Sequence, residues 1–127
     1  MMTLTSARIL VVEDHSDIRL LFTILLRKAG YEVVAAKSYA EGLSLARGTH
    51  FDLYLLDHAL SDGCGLDLRE KLQEIYPATP ALFCTGNAYC PNQTEKLRQN
   101  GDDYLLKPAL PEQITKAVAS LLTTSKA

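Results

Sequence analysis

The chain has 127 residues, enough for one domain with a self-sufficient core and no need of disulfides or a structural metal. Hydrophobic residues make up 47% of it and charged residues 22%, ordinary globular usage that excludes a disordered or fibrous chain. The net charge is -2 with basic residues scattered, and there is no signal-like or membrane-length apolar run, so direct binding of nucleic acid or membrane is not expected and cytoplasmic residence is.

The first apolar run, Ile9 to Val12, is short and unbroken, as expected of a parallel strand buried on both faces. Ile18, Leu21, Phe22, Leu25, Leu26 and Ala29 then recur at helical spacing and stop at Gly30, which predicts an amphipathic helix. Leu20 and Ile24 fall off that stripe and are expected to be exposed, as a docking patch or as ordinary surface residues. Tyr31 to Ala36 reads as a second strand. Ser38 with Glu41 three residues on is a capping-box pattern that opens a second helix through Ala40, Leu43 and Ala46.

Leu53 to Leu56 is the third strand, and Leu68, Leu72 and Ile75 mark a third helix stopped by Pro77. Ala81 to Cys84 is the fourth strand. The stretch Asn92 to Asn100 is assigned a fourth helix, although Leu97 is its only large apolar residue and it should be loosely held. Tyr104 to Leu106 makes a fifth strand, and a fifth helix opens at Pro111 and runs through Ile114, Ala117, Val118, Leu121 and Leu122. Five strands alternating with five helices specify an α/β sheet with right-handed crossovers, in one domain spanning residues 1–127 with its core at about 7–122. Cys64, Cys84 and Cys90 form an odd set without a CxxC pair, and read as reduced thiols rather than a disulfide or zinc framework.

In such a sheet the loops beyond the carboxyl ends of the strands build the active site. Strand one ends in Glu13 and Asp14, strand three in Asp57, strand four in Thr85 and strand five in Lys107 and Pro108. Three carboxylates gathered there would repel unless a cation sits among them, and hard oxygen ligands suit Mg²⁺. Adding an ammonium and a hydroxyl makes a cradle in which metal, Lys107 and Thr85 each take an oxygen of a transferring phosphoryl group, with Asp57 as the nucleophile.

Ile9 to Asp14 (ILVVED), Leu55 to Gly65 (LLDHALSDGCG), Thr85-Gly86 and Asp102 to Pro108 (DDYLLKP) together resemble the receiver domain of two-component response regulators, over nearly the whole chain. The resemblance implies a doubly wound (βα)5 fold with strand order 2-1-3-4-5 and helices on both faces. It also implies that Glu13, Asp14 and Asp57, with the backbone carbonyl of Ala59, hold Mg²⁺, for which Mn²⁺ can substitute. Asp57 would then accept phosphate from the phosphohistidine of a sensor histidine kinase or phosphotransfer protein. Lys107 would pair with the phosphoryl oxygens, and Thr85 and Tyr104 would switch the face made by the fourth helix, fifth strand and fifth helix for a downstream protein target. Pro108 would be cis, and Ala59 and Asn87 would tune the lifetime of the phosphoryl group. Such a protein is not an enzyme in the usual sense, since it catalyses only its own Mg²⁺-dependent phosphorylation and slow autodephosphorylation.

The pattern departs from the family at Ser61, where Pro is common, at Asn100, where Gly is common, and at Gly101, where Ala is common. Asn100 can supply a left-handed helix end, and neither it nor Ser61 is expected to touch the chemistry. Ala59 offers attacking water no orienting group, so slow hydrolysis is expected. Tyr104 has an alternative role as half-buried packing, and His58 should point away from Asp57 because side chains alternate along an extended chain. Cys64 and Cys90 lie at the active edge but read as separate thiols.

Rival functions are disfavoured by particular residues. An aspartyl-phosphate hydrolase would need a second acid where Ala59 stands, and a flavin or dinucleotide site would be repelled by Glu13 and Asp14. Gly63 and Gly65 read as a turn. A receiver-like interaction module that is never phosphorylated remains the alternative. The initial Met and short polar tail favour a free-standing protein whose output passes through another molecule.

Overall fold

The computed structural model describes residues 7–86 and 101–125. Among them are β1 (Arg8–Val12), α1 (Ser16–Lys28), β2 (Glu32–Ala36), α2 (Tyr39–Gly48), β3 (Leu53–Leu56), β4 (Ala59–Leu60), β5 (Gly63–Cys64), α3 (Gly65–Ile75), β6 (Ala81–Thr85), β7 (Asp103–Leu106) and α4 (Pro111–Ser125). The fourth helix expected at Asn92 to Asn100 lies outside the described residues, so α4 is the fifth helix of the sequence reading.

Five strands, all parallel, form one sheet in the order β2-β1-β3-β6-β7, which is 2-1-3-4-5 when only the strands of that sheet are counted. Side chains alternate across it with the period of two that extended chain imposes. Leu10, Val12, Tyr54, Leu56 and Phe83 pack with Ala46, Leu68 and Leu72 of α2 and α3. Ile9, Val11, Leu53, Leu55 and Leu82 pack on the other side with Phe22 and Leu26 of α1 and Ile114, Val118 and Leu122 of α4. Both faces are therefore covered, which is why the strands read as unbroken apolar runs. Burying each Leu or Phe of this kind is worth about 1.5–3 kcal/mol.

Local signals account for the helix ends. At the end of α1, Gly30 takes a left-handed φ of 101° while the Gly30 and Tyr31 N–H groups donate to the carbonyls of Arg27 and Leu26. Ser38 caps α2 by accepting from the Glu41 N–H at 3.1 Å, and the Glu41 carboxylate accepts from the Lys37 N–H at 2.8 Å. No helix among the described residues is long and apolar enough to cross a membrane.

Two local expectations are corrected. Leu21, placed on the core stripe of α1, is 56% exposed and joins Leu20 and Ile24 on the outer face. The contact of α1 with the sheet and α4 is satisfied by a narrower stripe flanked by Thr23, whose hydroxyl is satisfied by donating to the Arg19 carbonyl at 2.8 Å. Gly63 to Gly65, read as a turn, instead supplies β5 of an antiparallel hairpin with β4 around Ser61 and Asp62, and the first residue of α3. The left-handed helix end expected of Asn100 lies outside the described residues, and Gly101, before β7, has φ 85°.

Candidate functional site

Parallel strands all end on one edge of their sheet, so residues far apart in sequence meet there. Glu13 and Asp14 follow β1, Asp57 follows β3 and Lys107 follows β7, while Thr85 closes β6 opposite Leu106. The Val12 to Leu56 pairing and a bond from the Asp57 N–H to the Val12 carbonyl at 3.1 Å set Asp57 beside Glu13. One carboxylate oxygen from each of Glu13, Asp14 and Asp57 lies within 4.8 Å of the others.

Lys107 binds two of these acids. Its Nζ donates to Glu13 Oε1 at 2.8 Å and to Asp57 Oδ2 at 3.3 Å. Glu13 is almost wholly buried, and this desolvation pushes its carboxyl above the usual range despite the bonds from Lys107 and the His15 N–H, which pull it down. Burial alone would pull the Lys107 ammonium down, but the bonds and charges of Glu13 and Asp57 together outweigh it and hold the ammonium above its ordinary value. Among the described residues, Lys107 is thus the cation bonded to the carboxylates of this partly dry site, and three acids against one ammonium fit a hard divalent ion.

The backbone orients the acids. Arg19 Nη1 of α1 donates to the Glu13 carbonyl at 2.8 Å, and the His15 N–H donates to Glu13 Oε2 at 3.1 Å. From the hairpin, the Ala59 N–H donates to Asp57 Oδ1 at 3.4 Å and the Ser61 N–H to Asp14 Oδ2 at 2.9 Å. The Ser61 contact corrects the expectation that this position is remote from the chemistry, because a proline there would have no N–H to give. Gly65 is also closer than expected: a Cβ on it would fall 2.0 Å from the Asp57 carbonyl oxygen. Sequence reading missed Arg19 and the Ser61 amide, since no periodicity marks a residue that acts through backbone groups.

The other site residues divide simply. Ala59 is exposed on the hairpin, His58 is half-buried, and Tyr104 is half-buried against the core on the α2 and α3 side of the sheet. The Lys107–Pro108 peptide is cis. Cys64 is exposed and Cys84 buried, the latter pushed up to about 11 mainly by burial. Asn87 and Cys90 lie outside the described residues.

The sequence matches the response regulator receiver domain family over residues 9–119. The chain belongs to that family. Response regulator protein PilR of Pseudomonas aeruginosa is 33% identical over 113 residues, covering 89% of this chain and 25% of PilR. Transcriptional regulatory protein SrrA of Staphylococcus aureus is 31% identical over 117 residues, covering 92% of this chain and 48% of SrrA. The chain therefore spans half or less of these curated relatives. Among solved structures, a CheY-like receiver domain protein from Methanospirillum hungatei superposes with a TM-score of 0.89 at 30% identity, covering 96% of this chain and 98% of the other. Chemotaxis protein CheY4 of Vibrio cholerae superposes with a TM-score of 0.84 at 28% identity, covering 92% and 99%. As a receiver domain the chain serves phosphorylation-dependent two-component signalling.

Proposed function

We propose that this receiver, a single unit with its core at about residues 7–122, accepts a phosphoryl group from a phosphohistidine onto Asp57. The observation that carries this reading is Lys107 bridging Glu13 and Asp57 beside Asp14, which supplies an ammonium, a nucleophilic carboxylate and a divalent-ion donor set within one edge of the sheet. Glu13, Asp14 and Asp57, with the Ala59 backbone carbonyl, would hold Mg²⁺ or Mn²⁺, and the donor set of oxygens alone fits such an ion. The chemistry a bound Mg²⁺ supplies is neutralisation of charge on the phosphoryl oxygens.

An Asp57 carboxylate oxygen forms the new bond to phosphorus as the bond from phosphorus to the donor imidazole nitrogen breaks, and that imidazole leaves neutral after taking a proton. Lys107 exchanges its bond to Asp57 for one to a phosphoryl oxygen. The added charge draws Thr85 by a charge-assisted hydrogen bond, and Tyr104 moves with it, altering the adjoining face for a protein target. A sensor kinase or phosphotransfer protein is the donor, and the setting is the cytoplasm.

Incubation with acetyl phosphate and Mg²⁺ followed by mass spectrometry tests the reading. Wild type should gain one phosphoryl group and Asp57→Asn none. An unmodified wild type would favour an interaction module that works without phosphorylation. Backbone shifts around Tyr104 that stay put on adding beryllofluoride would exclude the switch.

A further inference from the structure

The orientation of two site carboxylates depends on the β4–β5 hairpin, since its Ala59 and Ser61 amides donate to Asp57 and Asp14. A ladder of two residues on each strand, Ala59 with Cys64 and Leu60 with Gly63, is too short to hold itself. Buried Leu60 anchors one point of it. A bond from the Gly65 N–H to the His58 carbonyl at 2.7 Å closes its base, and a further hold comes from the start of α2. Tyr39 packs its ring so closely on Gly63 that a Cβ there would fall 2.6 Å from Tyr39 Cδ2. Its hydroxyl donates to Asp67 Oδ2 of α3 at 2.7 Å. The Tyr39 and Ala40 N–H groups, unpaired donors of a helix N-terminus, donate to the Asp62 carboxylate at 2.8 and 3.1 Å. These bonds hold the Asp62 carboxyl below its ordinary value.

We propose that Tyr39 is a positioning residue for the phosphoacceptor site, its ring on Gly63 and its hydroxyl on Asp67 holding the hairpin where the Ala59 and Ser61 amides fix the Asp57 and Asp14 carboxylates. The proposal rests on the site reading given above. The hydrogen bonds of Tyr39 go to the hairpin and to α3, while its ring also packs against the core on that side of the sheet, so its effect on the acids is transmitted through the Ala59 and Ser61 backbone. Loosening the hairpin lets the carboxylates turn, which weakens the metal site more than it weakens the nucleophile.

The test uses the full chain as wild type, Tyr39→Ala, Tyr39→Phe, Gly63→Ala and the Tyr39→Ala/Gly63→Ala double variant. Amide chemical shifts of Ala59 and Ser61 are read without metal, Mn²⁺ affinity by electron paramagnetic resonance, and phosphorylation by acetyl phosphate at limiting and saturating Mg²⁺. Tyr39→Ala should move both amides and weaken Mn²⁺ binding about tenfold, the scale of losing an outer partner of a metal site. Phosphorylation should slow at limiting Mg²⁺ and recover at saturation. Tyr39→Phe keeps the ring contact and should retain most of the affinity, and Gly63→Ala should reproduce the Tyr39→Ala defect with no further loss in the double variant. If Tyr39→Ala does not fold, Gly63→Ala and Tyr39→Phe carry the same comparison. A Tyr39→Ala or Gly63→Ala protein with a lowered melting temperature but wild-type amide shifts and Mn²⁺ affinity would reduce Tyr39 to a structural residue and overturn the proposal. A wild type that neither binds Mn²⁺ nor takes a phosphoryl group would instead overturn the site reading, and the proposal with it.

Discussion

Arg69 and Asp102 form a buried two-pronged ion pair, with Nε to Oδ2 at 2.8 Å and Nη2 to Oδ1 at 3.0 Å. Asp102 Oδ1 also accepts from the Ala81 N–H at 2.8 Å, so the pair joins α3 to the start of β6 and the approach to β7. Arg69→Leu leaves the Asp102 carboxylate buried with, among the described residues, only the Ala81 donor and should destabilise the chain by about 3–5 kcal/mol in urea unfolding. Replacing both residues by Leu should not restore wild-type stability, because the Ala81 N–H then has no acceptor. A fully recovered double variant would show that the pair does not fasten the strands.

The contact between Gly65 and the Asp57 carbonyl leaves no room for a side chain. Gly65→Ala must displace the acceptor backbone, with an expected loss of about 3 kcal/mol or more and of phosphorylation by acetyl phosphate. Urea melts and mass spectrometry together check this, and a stable, fully reactive Gly65→Ala protein would contradict the geometry.

Three carboxylates facing one ammonium should make the fold respond to divalent ions. At one hundred times its Kd, Mg²⁺ should stabilise the protein by about 2.7 kcal/mol, and a chelator should reverse the gain. Asp14→Asn should remove most of that gain, measured as the shift in thermal midpoint with and without Mg²⁺.

Burial and the bond to Asp67 push the Tyr39 hydroxyl from 10.0 up to about 12. The folded state therefore favours the neutral hydroxyl. This contribution to stability is whole below pH 10.0 and is lost as pH rises through about 12. Ultraviolet titration should show one tyrosine ionising late, absent in Tyr39→Phe. Asp67→Asn should bring its midpoint down, and an unchanged midpoint would deny the bond.

Exposed Ala59 presents no polar group to a water attacking the aspartyl phosphate. The phosphorylated form should persist beyond seconds, and Ala59→Asn should shorten its life by giving water an orienting partner. Phosphate release after removal of the donor measures both, and a wild-type lifetime of seconds would refute the expectation.

Much of this molecule is legible before folding. Unbroken apolar runs alternating with helix-period segments name the sheet and its layers, and Ser38, Gly30 and Pro111 mark helix ends, because these signals act over a turn or less of chain. Since parallel strands share one edge, the acids Glu13, Asp14 and Asp57 and the base Lys107 could be gathered from strand ends alone. Leu21 shows where the local signal fails: periodicity gives a face, but only the neighbours decide how wide a face is covered. The Ser61 amide on Asp14, the ring of Tyr39 on Gly63 and the Arg69 to Asp102 pair depend on backbone groups and side chains brought together from distant segments. Their energies come from contact geometry after the layers have packed, and no spacing along the chain encodes that geometry.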